Sequence, residues 1–74
     1  MKLIRFREMP SRMSPHNALT FGRIVTSLLE HGGRVEHYEL SYVAEDHQHG
    51  DKRCSGGASF VNYCIRRGWL EVVQ

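Results

Sequence analysis

The sequence predicts an α+β domain, with three helices carrying a small antiparallel sheet built from the terminal strands. Three observations lead there. Phe21, Ile24, Val25, Leu28 and Leu29 recur at i, i+3, i+4, i+7 and i+8, the apolar stripe of an amphipathic helix. Ala58, Val61, Cys64 and Ile65 form a second stripe of helical spacing, in a segment that Gly68 closes. At the two ends, Leu3, Arg5 and Arg7 alternate with Ile4 and Phe6, and Trp69–Val73 is rich in residues that favour strands.

Each element follows from local chemistry. The first strand covers residues 3–7 and points Ile4 and Phe6 inward. Pro10, Ser11, Ser14 and Pro15 make residues 8–16 a loop. The first helix starts either at a Ser14 cap with Pro15 in the first helical position, or later with Thr20 as the cap, and Gly32-Gly33 ends it. A second helix is expected over about residues 36–45. Tyr38, Leu40, Tyr42, Val43 and Ala44 supply its apolar positions, and Glu36 and Glu39 sit in its first turn, where the helix dipole favours acids. Residues 46–53 are polar and aperiodic, which predicts an exposed loop. The third helix spans about 57–67 with Ser55 as its cap. Phe60 lies beside its inward stripe, and Ser59, Asn62, Tyr63, Arg66 and Arg67 face out. A last strand follows. If the terminal strands pair, the hairpin-sized sheet still needs the helices behind it.

Size limits what such a chain can do. Its 74 residues suit one domain. A domain this short buries only about 60% of the surface its unfolded chain exposes, leaving little room for a deep pocket. That favours a binding surface over an enzyme. The 41% hydrophobic and 24% charged residues are a globular composition rather than a disordered one. Two cysteines, Cys54 and Cys64, are too few for the dense disulfide framework of a small secreted domain, so free thiols and a cytoplasmic location are expected. Charges interrupt the apolar residues of the N-terminus, so no signal peptide is read there, and no stretch reaches the length of a membrane span.

Charge is unevenly distributed. Residues 1–13 carry a net +3 and residues 52–71 another +3, whereas residues 30–51 carry −5. Paired ends would therefore gather a basic face, with Glu30, Glu36, Glu39, Glu45, Asp46 and Asp51 forming an acidic band elsewhere.

From Leu19 onward the chain resembles a winged helix-turn-helix, and is most similar to the DNA-binding domains of response-regulator transcription factors. The resemblance rests on Leu19-Thr20, on Leu28 to Val35, and on Glu39-Leu40. It continues through Ala58 to Arg67, where that family places its recognition helix, and the closing Arg67 to Val72. It covers about three-quarters of the chain by pattern. It implies a DNA-binding domain whose third helix reads the major groove. The chain departs from the family after Gly68, where six residues allow one strand rather than a two-stranded wing, so wing contacts are not carried over. The N-terminal strand is the candidate to replace the missing partner.

The resulting candidate DNA-contacting residues are Lys52, Arg53, Ser55, Ser59, Asn62, Tyr63, Arg66 and Arg67. Arginine can bond guanine bidentately and asparagine adenine, and serine or tyrosine can hold phosphate. The helix start at Ser55-Gly56-Gly57 offers backbone N–H groups to a phosphate, and Lys52 and Arg53 suit the DNA backbone. The plain alternative for all of these is an ordinary solvated helix face. Double-stranded DNA is thus the expected partner, with a homodimer because one helix in one groove reads few base pairs. The competing reading is a protein-interaction module or inhibitor, of the type found in phages and mobile elements, docking through the acidic band.

Other chemistries fit less well. His47, His49, Cys54 and Cys64 are zinc-ligand types, but their spacing matches no standard structural site and Cys64 falls on an inward helix face, so no metal or other cofactor is expected. Cys54 with a histidine lacks a third orienting group, Glu45-Asp46 reads as solvated, and Gly56-Gly57 lacks the following lysine of a phosphate loop. No enzymatic activity is expected.

Overall fold

The computed structural model describes residues 2–48 and 56–73. Ser14 opens the first helix: its backbone is extended, and its hydroxyl oxygen accepts a hydrogen bond from the Asn17 backbone N–H at 3.3 Å. Pro15 follows, where its missing N–H costs nothing. This helix, α1 (Pro15–Glu30), ends where the Gly33 N–H returns to the Leu28 carbonyl at 2.6 Å. Gly32 and Gly33 both take positive φ there, 78° and 93°, a region other residues rarely enter.

The other elements are β1 (Leu3–Phe6), β2 (Arg34–Glu36), α2 (His37–Gln48), α3 (Gly57–Arg67) and β3 (Leu70–Val72). The sheet is antiparallel with strand order β2-β1-β3. The terminal strands do pair, with Ile4 opposite Val72 and Phe6 opposite Leu70. β1 also pairs with β2, placing Ile4 opposite Val35, so the first strand is the central one. The molecule is an α+β fold of three helices and one small sheet, as the sequence predicts.

The core joins all the layers. Ile4, Val35 and Leu70 cover it from the sheet. Phe21, Ile24 and Leu28 enter from α1, Leu40 and Ala44 from α2, and Phe60, Val61 and Cys64 from α3. Thr20 is also fully buried; its hydroxyl donates to the His16 carbonyl oxygen at 3.2 Å, so the polar group enters the core with a partner. The end of α3 is a two-bond glycine cap. Gly68 adopts φ 82°, its N–H donates to the Ile65 carbonyl, and the Trp69 N–H donates to the Cys64 carbonyl.

Several expectations change. Arg34–Glu36 is a third strand that the element-by-element reading did not include. α2 runs to Gln48, so Asp46, His47 and Gln48 are helical rather than loop. Tyr38 and Tyr42 are exposed, not inward, because Leu40 and Ala44 set the buried phase of α2. Leu29 is 75% exposed and Phe6 39%, so the α1 stripe and the first strand each lose one inward residue. Ala58 is exposed; Gly57 takes the buried position at the start of α3. Gly56 is the residue preceding α3's first turn, and Ser55 lies outside the described residues. Trp69 is buried but precedes β3.

Candidate nucleic-acid interface

Within α3, residues 57, 60, 61 and 64 are buried, which leaves Ser59, Asn62, Tyr63, Arg66 and Arg67 on the exposed face. Lys52, Arg53 and Ser55 lie outside the described residues, as do His49, Asp51 and Cys54.

Ser59 is engaged within the domain, and three more of the five have partners there. The Asn62 side-chain oxygen meets His37 Nε2 at 2.8 Å, tying the start of α2 to the middle of α3. The Ser41 hydroxyl donates to the His37 carbonyl oxygen at 2.9 Å and lies 3.3 Å from the imidazole Nδ1, which fixes the ring. With its oxygen facing His37, Asn62 keeps its amide nitrogen as a donor. Tyr63 sets its ring edge-on to Trp69, with centroids 5.6 Å apart, and Phe60 is its other aromatic neighbour at 6.5 Å. The Arg67 guanidinium lies 5.3 Å from the Trp69 ring centroid, a cation–π contact that anchors it against the domain. Arg66 is exposed, and the ion pairs among the described residues do not include it.

The β1–β3 pairing brings the basic ends together. Arg5 bonds Glu71 at 3.0 Å. Arg7 bonds Glu8 at 2.8 Å and donates to the Gly68 carbonyl oxygen at 3.0 Å, directly beyond α3. A cation there is favoured by the negative end of the α3 dipole. Arg7 thus reaches the end of α3, whose last turn carries Arg66 and Arg67, while Arg5 lies further along β1, and Glu8 and Glu71 neutralise part of the charge of Arg5 and Arg7. Sequence reasoning counted the arginines but missed these carboxylate partners, because the register that aligns Arg5 with Glu71 is visible only once the strands are paired.

At the other edge of the sheet, β2 carries Glu36 together with Arg34. α2 leaves β2 with Glu39 in its first turn, and the negative charges of Glu36 and Glu39 push the Tyr38 phenol above its ordinary value of 10.0. Tyr38 and Tyr42 stand edge to face with centroids 6.2 Å apart, both more than half exposed. Their i, i+4 spacing beside glutamates was the sequence signal for this outward aromatic pair.

Cys64 has no accessible surface, and burial pushes its thiol up to about 12 from 9.0. It is a packed thiol, not a nucleophile. Iodoacetamide is expected to leave Cys64 unmodified in the folded protein and to label it in urea, read by peptide mass spectrometry. Rapid native labelling would contradict this burial. The folded state retains a proton that the unfolded chain releases above pH 9, so this group stabilises the fold below that pH, and the contribution is lost as pH rises toward 12.

Among the described residues, no group of three or more His, Cys, Asp and Glu side chains could hold a metal ion, and no helix is long and apolar enough to cross a membrane. No family model, curated protein or solved structure matches the chain.

Proposed function

We propose that this chain is a small, cytoplasmic, non-enzymatic DNA-binding regulator of winged-helix type that reads the major groove with α3. Arg66 is the principal base-reading residue, Ser59 and the Asn62 amide nitrogen flank it, and Tyr63 and Arg67 hold the helix at the groove edge. Lys52, Arg53 and Ser55, with Arg5 and Arg7, contact the DNA backbone. The observation that carries this reading is the exposed Arg66 on the outward face of α3, outside every ion pair of the described residues, in a last helical turn that also carries Arg67. β1 lying beside β3 also supports it, since that pairing supplies the second strand that a wing requires.

Fluorescence anisotropy on duplex DNA, begun at low salt and repeated as salt rises, tests the proposal. Arg66→Ala is expected to weaken binding by about 5- to 150-fold, corresponding to about 1–3 kcal/mol for a specific base contact. Binding should also fall steeply with salt, as phosphate contacts require. No binding even at low salt would overturn the reading.

One observation favours a second reading, a protein-docking module or inhibitor of phage or mobile-element type. The exposed Tyr38–Tyr42 pair, flanked by Glu39 and Glu45, combines aromatic anchors with a negative rim suited to a basic protein partner.

A further inference from the structure

The outward face of α1 combines sparse charge with exposed apolar surface. The helix carries only two charged residues, Arg23 and Glu30, and both are exposed. They stand seven residues apart on one edge of that face, about 10.5 Å along the axis, too far to pair with each other. No ion pair among the described residues includes either of them. The opposite edge holds Leu29, which is 75% exposed, and Gly22, whose missing side chain leaves open space with no atom within 4 Å of where a Cβ would stand. An apolar cleft of about 380 Å³ opens beside Gly22, lined chiefly by Met9, Met13, Ala18, Phe21 and Val25. Thr26 runs between the two edges, and its hydroxyl already donates to the Gly22 carbonyl oxygen at 2.9 Å, so covering it strands no polar group.

We infer that two copies of this chain pair antiparallel through α1, about a twofold axis at Thr26. An antiparallel twofold sets like edges against each other. Arg23 of each copy then meets Glu30 of the other, and Leu29 of each seats over Gly22 and its cleft in the other, every contact being made twice. The charge pattern fits this occupant, because a reversed copy sets opposite charges together at both positions. The glycine agrees: in an exposed helix interior it costs about 1 kcal/mol relative to alanine, and the open position it leaves is what Leu29 requires. One helix face lies at the small end of interface sizes, so the dimer is weak and reversible. It does not depend on DNA binding, and its test contains no DNA.

Sedimentation equilibrium from about 10 μM to about 1 mM measures the dimer, a range suited to weak association. R23E and E30R each set like charges together at two places, and each alone is expected to lower self-association by about tenfold or more. An equimolar mixture of the two restores opposite charges at both places, and is expected to associate within about threefold of the unaltered protein. Gly22→Ala should raise the thermal stability of the monomer while weakening the dimer, a split that general damage to the fold would not produce. A protein that stays monomeric throughout the range, or a dimer indifferent to both swaps, overturns the inference. Loss of DNA binding by Arg66→Ala leaves it untouched.

Discussion

Gly57→Ala is expected to cost about 3 kcal/mol or more, and to lower Tm by about 15 °C or more for a domain of this size. The physical cause is close approach. A Cβ at Gly57 would lie inside the van der Waals radius of the Ser41 carbonyl oxygen and 2.7 Å from the Glu45 backbone nitrogen. These are backbone atoms of α2, so no side chain can swing aside, and the helices would have to part. Total stabilities of 5–15 kcal/mol are usual for single domains, so the loss is a large fraction of what holds this fold. Thermal and urea melts followed by circular dichroism measure it. A change under about 1 kcal/mol would mean that the α2–α3 junction is looser than its geometry. Because the His37–Asn62 hydrogen bond crosses the same junction, parting the helices would also turn the outward face of α3.

Trp69→Ala is expected to cost about 3–5 kcal/mol, the usual range for removing a large buried aromatic side chain. Trp69 is 7% exposed and joins three elements. Its ring meets Phe21 of α1 edge to face at 6.2 Å and Tyr63 of α3 at 5.6 Å, and it carries the Arg67 guanidinium. Its carbonyl oxygen accepts from the Arg7 and Glu8 N–H groups at 2.9 and 3.2 Å, continuing the β1–β3 ladder. Those backbone bonds survive the substitution, so the loss reports side-chain packing. Trp69→Phe should recover part of it by refilling the space between Phe21 and Tyr63. Since Trp69 is the chain's one tryptophan, the melts need circular dichroism rather than fluorescence. Equal stability of the alanine variant would show that Trp69 is not the joint the geometry describes.

Where a residue's chemistry acts locally, the sequence was a sufficient guide. Ser14 before Pro15, and Gly68 after two arginines, are signals read within one turn, and both stand where local chemistry puts them. The terminal strands followed from their alternation and β-forming composition, but their pairing did not, because it joins residues 66 positions apart. β2 was harder because three residues containing one apolar side chain, Val35, carry almost no alternation. Phase errors share a cause. Tyr38, Tyr42 and Leu29 count as hydrophobic in any periodicity yet stand outward, and Gly57, a residue without bulk to advertise burial, takes the tight inward position at the start of α3. The exposed face of α3 was legible residue by residue. The commitments of Asn62 to His37, Tyr63 and Arg67 to Trp69, and Arg5 to Glu71 were not, since each depends on a partner from another element or turn.

The central place of β1 in the sheet sets the order of events when the chain folds. β1 can dock on β2 once α1 has formed between them, but its second edge stays open until β3 arrives, and Arg5 and Glu71 stand 66 positions apart. Closing so long a loop is entropically costly and slows folding relative to a bundle held by local contacts. During synthesis on the ribosome, then, β1 waits for β3, which is made later. The arginines of β1 help keep that waiting edge soluble, because charge on an unpaired strand edge resists the addition of a foreign strand.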